Sequence, residues 1–342
     1  MKEELLIKLI NTFGPSGSEH PVRKIIEKEM KDYVDEMYTD KFGNLICHKS
    51  GKGRKVMLAA HMDEIGLIIR EIKDDGKIKF SAVGGIDPAT LLGQYVAILD
   101  RNNDISCTGV ISYQELQEDL LIEEPPEMNE LHVDTGLNKK ELTKKKIGIG
   151  AYVVPFQEAR YLGNKNIIAG KALDDRIGCF VLCELAKKLK RTENDIYYVF
   201  TVQEEVGLYG AEVAVYKIDP DWGIAIDVTN AEDYDKECVV QLGKGPVMSI
   251  MDAEMISNRC INDWLLQIAR KKAIPLQFKV DDTGTTDATK IMMSRGGVPS
   301  TVVGVAIRNL HSTISVANMK DIKDAIDLLH ELLKNPPKNC FV

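Results

Sequence analysis

The sequence predicts an α/β protein, a mostly parallel sheet flanked by helices with a β-rich unit inserted early in the chain. Three observations predict it. Apolar runs of strand length alternate with amphipathic helical segments at the start and again after about residue 165, the rhythm of a parallel sheet covered on both faces. Between about Leu67 and Asn164 the pattern shifts to alternating residues around turn signals, the mark of a largely antiparallel module. Acidic and imidazole side chains stand where the apolar runs end, and in open α/β sheets ligands collect beyond the carboxyl ends of strands.

The elements follow in order. "MKEELLIKLINTF" sets Leu5, Leu6, Leu9, Ile10 and Phe13 at helical spacing among charges, an amphipathic helix rather than a signal peptide. "PSGSEHPVRKIIEKEM" reads as a loop, a capping box from Ser16 to Glu19, and a helix through Val22, Ile25, Ile26 and Met30. "RKVMLAA" is a strand. Inside the insertion, "LIIREIKDDGKIKFSAV" predicts a hairpin about Asp75-Gly76, "QYVAILDRNNDISCTGVIS" repeats that pattern, and "EEPPEMNE" is a polar loop. The α/β rhythm then resumes. "RIGCFVLCELAKKLK" predicts a helix, "DIYYVFTVQ" a strand, "GLYGAEVAVYKI" a helix and "WGIAIDVT" a strand. "CINDWLLQIARKKA" predicts a helix, "STVVGVAI" a strand and "VANMKDIKDAIDLLHELLKN" the final amphipathic helix. Residues 1–66 and 165–342 are expected to form one domain and 67–164 a second, inserted one.

Bulk properties narrow the classes. The chain has 342 residues, 44% hydrophobic and 28% charged, a length that suggests about two domains at ~100–200 residues each. A net charge of −8 argues against nucleic acid or an anionic membrane as the main partner. No apolar run approaches the ~18 residues of a membrane span. Seven cysteines (Cys47, Cys107, Cys179, Cys183, Cys238, Cys260 and Cys340) show no CxxC pair, which fits a reducing cytoplasm better than a disulfide framework. Cys179 and Cys183 share a helix face and read as core filler.

The candidate chemistry begins at "KVMLAAHMDEIGLII", where five apolar residues run into His61, Asp63 and Glu64. Buried charges need a partner, so a cation is expected there. Glu204 and Glu205 follow the strand "DIYYVFTVQ", Asp227 ends "WGIAI", His311 follows "STVVGVAI", and Asp174 and Asp175 precede a helix. Each alone reads as a cap, a turn or a solvated residue. Their joint placement at successive strand ends points to a shared cation. Two imidazoles with several carboxylates and no cysteine suit Zn²⁺, Co²⁺ or Mn²⁺ rather than Ca²⁺ or Mg²⁺. The donors outnumber what one tetrahedral ion needs, so two ions are expected, with one free carboxylate as general base. The residues alone do not decide between Glu204 and Glu205 for that role. His20, His48, His132 and His330 lack such placement and read as structural.

At these residues the chain resembles the M42 aminopeptidases. The matching pieces are "AAHMDEIG", "GKALDDRIG", "VQEEVGLYGA", "AIDVT", "LGKGP" and "LHS", in the family's order and across nearly the whole chain. The early position of the insertion separates this pattern from related families that insert late or not at all. The resemblance implies a di-metal peptidase fold carrying a PDZ-like dimerisation domain. It implies that His61 and Asp227 bind one metal, Glu205 and His311 the other, and that Asp174 bridges them. Glu204 matches the catalytic base, and Asp63 the carboxylate that orients His61. Three positions depart from the family: Thr285 stands in "GTTDA" where a glycine is usual, and Thr313 and Ser315 replace a proline and a glutamate after "LHS".

The function implied is removal of the N-terminal residue from peptides with a free amine, through a hydroxide bridging two divalent ions and Glu204 as base. Another metal-dependent amide hydrolase (a deacylase or carboxypeptidase), a glucanase, or a non-catalytic assembly protein are the alternatives. The glucanase reading is physically weak, because glycoside hydrolysis relies on two carboxylates that metal ligation would consume. The resemblance also implies a homo-oligomer, from a dimer to a tetrahedral dodecamer, and the cysteine usage predicts a cytoplasmic location.

Overall fold

The computed structural model describes residues 3–113, 124–233, 239–334, 336 and 340. Two helices open the chain. α1 (Glu3–Asn11) buries Leu5, Leu6, Leu9 and Ile10, and α2 (His20–Met30) buries Val22, Ile26 and Met30, as their apolar spacing predicts. The expected capping box is absent. The Ser16 hydroxyl donates to Asp63 and Glu19 accepts from Gly17 and Gln203, because long-range partners outcompete the local cap.

β1 (Glu36–Thr39), β2 (Leu45–Lys49) and β3 (Lys55–His61) precede the insertion. Within it lie β4 (Gly66–Ile72), β5 (Ile78–Val83), β6 (Tyr95–Leu99), β7 (Ile105–Ser112), β8 (His132–Asp134), the short α3 (Lys139–Lys144) and β9 (Tyr152–Pro155). The Asp75-Gly76 turn forms as expected between β4 and β5, with Gly76 at φ +95°. The β6–β7 hairpin also forms. The six strands close in the order β4-β5-β8-β7-β6-β9, since β9 pairs with both β4 and β6. Inward residues such as Leu67, Phe80, Val96, Ile111 and Val153 fill the barrel. Of the polar loop, Glu124–Glu130 is irregular with a turn, while Glu123 lies outside the described residues.

After the barrel come β10 (Arg160–Tyr161), β11 (Ile167–Gly170), α4 (Leu173–Lys188), β12 (Asp195–Thr201), α5 (Tyr209–Ile218), β13 (Trp222–Asn230) and β14 (Val247–Met251). α6 (Arg259–Lys272), β15 (Gln277–Val280), α7 (Asp287–Met292), β16 (Ser300–Arg308), β17 (Ser315–Asn318) and α8 (Met319–Lys334) complete the chain. Together with β1–β3, these strands form an 11-stranded sheet in the order β1-β2-β12-β3-β13-β16-β17-β11-β10, with β14 branching from β16 and β15 beside β14. The sheet is mixed rather than mostly parallel. β12, β3, β13 and β16 run parallel at the centre, and every pairing outside them is antiparallel except β14 with β15. The parallel pairs are joined by segments long enough to carry the chain back across a face, as α6 does between β14 and β15.

Those central strands are buried on both sides. Val56, Leu58 and Ala60 of β3 face a core shared with α1, α2, α4, α6 and α8. Met57 and Ala59 face the other way, onto α5 and α7. This period-two split lets one apolar strand serve two layers.

The cysteines depart from expectation. Cys260 at the start of α6 is joined to Cys340 beyond α8 by a disulfide, with 5.4 Å between Cα atoms. The fold brings together residues 80 apart that no local spacing links. This pairing removes the cysteine argument for a reducing compartment. Cys47, Cys179 and Cys183 are buried and free, Cys107 is free and half-buried, and Cys238 lies outside the described residues. Among the described residues no helix is long and apolar enough to cross a membrane.

Candidate metal centre

Strand register assembles the site. β3 and β12 run parallel with His61 opposite Thr201, so the turn after β12 delivers Glu204 and Glu205 beside His61. Asp227 sits within β13 opposite Gly304, three residues before the strand ends rather than at its tip. Asp174 and Asp175 occupy a non-helical break at the start of α4, across a cis peptide bond. His311 lies in the loop between β16 and β17, with φ +55°.

The structure brings all the predicted residues together. Asp174 Oδ1 lies 2.9 Å from His61 Nε2, and its other oxygen lies 3.5 Å from His311 Nε2. Glu205 Oε2 stands 4.0 Å from His311 Nε2, and Asp227 Oδ1 4.0 Å from His61 Nε2. Glu204 Oε2 is 3.9 Å from His61 Nε2. His61, Asp174 and Glu205 offer ligand atoms within 4.8 Å of one another, as do His61, Asp175 and Asp227.

Asp63 lies behind this shell, fully buried. Its Oδ1 sits 3.5 Å from His61 Nδ1 and accepts the Glu204 amide at 3.1 Å. Its Oδ2 accepts the Glu205 amide at 3.1 Å and the Ser16 hydroxyl at 2.7 Å. Burial opposes the charged form of Asp63, yet these bonds hold its carboxyl below the usual carboxylate range. The geometry therefore places Asp63 against both the imidazole and the backbone of the glutamate pair.

The remaining carboxyls are short of positive charge. Burial first, then repulsion from neighbouring carboxylates, raises Glu204, Glu205 and Asp175 well above their ordinary values and pushes Asp227 up to about 8. Burial alone would lower His61, but Glu204, Asp174 and Asp63 outweigh it and hold the imidazole well above its usual range. One imidazolium cannot neutralise so many acids. Glu205 Oε1 is buried with no hydrogen-bond partner among the described residues, an arrangement that burial penalises unless a cation completes it. Hard oxygen donors with imidazole nitrogens, clustered and under-neutralised, fit a divalent metal.

Not every acid here is free to ligate. Both Asp175 oxygens are engaged by amides, from Gly178 at 2.8 Å and His61 at 3.3 Å, so Asp175 acts as scaffold. Glu64 has found its cation within the chain: Lys171 Nζ lies 2.7 Å away and Arg176 Nη2 3.3 Å away, all buried. Sequence reasoning missed Asp287, whose Oδ2 accepts the Thr201 hydroxyl at 2.6 Å while Oδ1 is buried without a partner among the described residues. Burial lifts that carboxyl to about 6. It lies in the quoted "GTTDA", at the start of α7 and well past the end of β15, so the strand-end rule passes it by.

Residues 43–328 match the family described as M42 glutamyl aminopeptidase. The chain belongs to the M42 family. A lysyl aminopeptidase of Pyrococcus furiosus is 36% identical over 340 residues, covering 97% of this chain and 96% of that one. Aminopeptidase APDkam598 of Desulfurococcus kamchatkensis superposes with a TM-score of 0.93 at 37% identity, covering 97% of this chain and 94% of that one. The Pyrococcus horikoshii TET1 peptidase, whose structure is described as assembling into a tetrahedron or a large octahedral shell, gives 0.86 at 31% identity, with 97% and 99% covered. The protein is thus a peptide hydrolase of the M42 aminopeptidase type.

The M42 centre opens into a cavity of about 440 Å³ lined by His61, Asp174, Glu204, Glu205, Asp227 and His311. Lys279, Asp281, Thr283 and Thr285 form another wall. Lys279 Nζ is tied to Asp281 Oδ2 and to the Thr229 hydroxyl, each at 2.7 Å, so this wall carries a neutralised pair. The barrel supplies part of the lining through Gly85. A Cβ on Gly84 would stand 3.1 Å from the Cβ of Glu205, and one on Gly85 3.3 Å from His311 Nδ1.

The positions that depart from the M42 pattern have partners of their own. Thr285 Oγ1 pairs with Thr289 Oγ1 at 2.9 Å. Thr313 is buried, and the Ser315 hydroxyl donates to the Asn309 carbonyl at 2.9 Å, bracing the His311 loop.

Proposed function

We propose that this protein removes the N-terminal residue from peptides at a pair of divalent metal ions, with Glu204 as general base. The observation that carries the reading is the Asp174 carboxylate, whose two oxygens face the two imidazoles at 2.9 and 3.5 Å. His61 and Asp227 would hold one ion, Glu205 and His311 the other, with Asp174 shared. When bound, ions of the Zn²⁺, Co²⁺ or Mn²⁺ class polarise a carbonyl and bring the pKa of water from 15.7 down to about 7.

The chain's own residues do the rest. Glu204 lines the cavity with its Oε2 3.9 Å from His61 Nε2, so its carboxylate takes the proton of the attacking water and passes it to the leaving amine. Such a positioned base contributes roughly 10²–10⁴-fold. Asp63 keeps the His61 ring turned towards the site and holds the Glu204 amide. The surplus of carboxylates also attracts a substrate's terminal ammonium, which fixes cleavage to the first peptide bond.

The same reading assigns residues 1–66 and 165–342 to the catalytic domain and 67–164 to a dimerisation domain. Likeness to the TET1 peptidase, described as assembling into a tetrahedron or a large octahedral shell, supports a homo-oligomer.

Matched peptides with free and N-acetylated termini, assayed with Zn²⁺, Co²⁺ and Mn²⁺, test the proposal. Cleavage confined to the free amine supports it. Equal hydrolysis of the acetylated peptide would overturn it in favour of a deacylase or carboxypeptidase.

A further inference from the structure

The segment between α1 and α2 lies outside the ring of proposed ligands, yet it reaches the catalytic turn once directly and once through Asp63. The Ser16 hydroxyl donates to Asp63 Oδ2 at 2.7 Å, and the buried Glu19 accepts the Gln203 amide at 3.2 Å through Oε1. Asp63 in turn accepts the amides of Glu204 and Glu205 at 3.1 Å each. Three successive amides, 203 to 205, are thus held by two carboxylates, and both carboxylates are fixed by residues 16–19. Gln203 needs the hold, since its φ of +55° is a conformation that a residue with a side chain rarely adopts.

The same segment is gripped by the barrel from the other side. The Tyr152 hydroxyl of β9 donates to the Ser16 carbonyl at 2.8 Å. Asn103, in the β6–β7 turn, donates from Nδ2 to the Ser18 carbonyl at 2.6 Å and accepts the Ser18 hydroxyl at 2.8 Å. Side chains 85 and 136 positions away in sequence therefore meet on four residues of loop.

We propose that Ser16 and Glu19 are positioning residues for the general base, and that Asn103 and Tyr152 set them from the barrel. The inserted unit thereby reaches the catalytic turn through a strap of hydrogen bonds, beyond any part it plays in association. Nothing in the strap touches substrate. Its effect is on where the Glu204 carboxylate points, a quantity to which turnover is steeply sensitive. The inference rests on the reading of Glu204 as base.

Steady-state kinetics on Ser16→Ala, Ser16→Thr, Glu19→Ala and Tyr152→Phe, with metal content and Tm measured on each, test it. Ser16→Ala and Glu19→Ala are expected to lose about tenfold or more in kcat, with KM within about twofold and metal retained. Ser16→Thr restores most of the loss because it keeps the hydroxyl. Tyr152→Phe keeps the ring and shows a smaller fall of the same kind. A Ser16→Ala enzyme with wild-type kcat overturns the proposal. So does a loss of kcat that merely tracks lost metal or lost folded protein, or one that threonine fails to rescue. Glu204→Gln, run alongside, separates the two claims: wild-type turnover in that variant removes the base itself, whereas its inactivity beside a fully active Ser16→Ala removes only the strap.

Discussion

Asp174 Oδ1 and His61 Nε2 stand 2.9 Å apart, while the second oxygen of the same carboxylate is turned to the opposite imidazole. A side chain so placed is shared between two halves of a site. Replacing Asp174 by Ala is therefore expected to strip both halves, leaving well under one metal equivalent after dialysis, by elemental analysis. Full metal content in that variant would contradict the bridging role.

Glu204 gives the opposite signature. Glu204→Gln keeps the volume and the backbone amide that Asp63 accepts, but cannot take a proton. It is expected to hold its metal and lose at least ~100-fold in kcat, the lower end of what a positioned base contributes. Single-turnover rates with metal analysis check both halves of that statement.

Gly84 tests how tightly the barrel fits the centre. Its φ is +83°, and an added Cβ would meet Ile65 Cγ2 at 2.9 Å and Glu205 Oε2 at 3.1 Å. Gly84→Ala is expected to weaken metal binding through Glu205 more than through Asp227. Calorimetric titration of stripped enzyme should show one of two binding events weakened.

The buried Glu64, Lys171 and Arg176 group predicts a stability effect away from chemistry. Glu64→Ala leaves two buried cations without their carboxylate and is expected to cost about 3–5 kcal/mol in urea unfolding. pH adds a second check. Burial pulls Lys171 from 10.5 to about 8 against the attraction of Glu64. Between those values the unfolded chain binds more protons, so this residue makes unfolding harder as pH rises from 8 towards 10.5. The stability of the wild type relative to Lys171→Met should accordingly increase across that window.

Much of the centre was legible because strand ends are legible. Apolar runs ending in His61, Glu204 and Glu205 declare a parallel sheet and a rim in one stroke, and the register of β3 with β12 turns that declaration into proximity. What the sequence could not show is long-range choice. Ser16 and Glu19 carry the signature of a local cap, yet their side chains are claimed by Asp63 and Gln203, 47 and 184 positions away. Glu64 looked like one more candidate for a shared cation until Lys171, 107 positions on, proved to be its partner. The antiparallel flanks of the sheet escaped for the same reason: short strands such as β11 and β17 pair according to where the chain returns, which periodicity does not encode.

The closure of the barrel limits how two molecules could join there. β9 pairs on both sides and so offers no free edge there, whereas β5 meets β8 only at Ile78 and Val133, so among the described residues the ladder beside Lys79–Val83 is the stretch a foreign strand could extend. Elsewhere on this unit a meeting of two copies would be one of side-chain faces, such as the exposed Tyr95, Ile105 and Val110, and not of continuous intersubunit sheet. Copies held by such faces would part and re-dock without unzipping a strand.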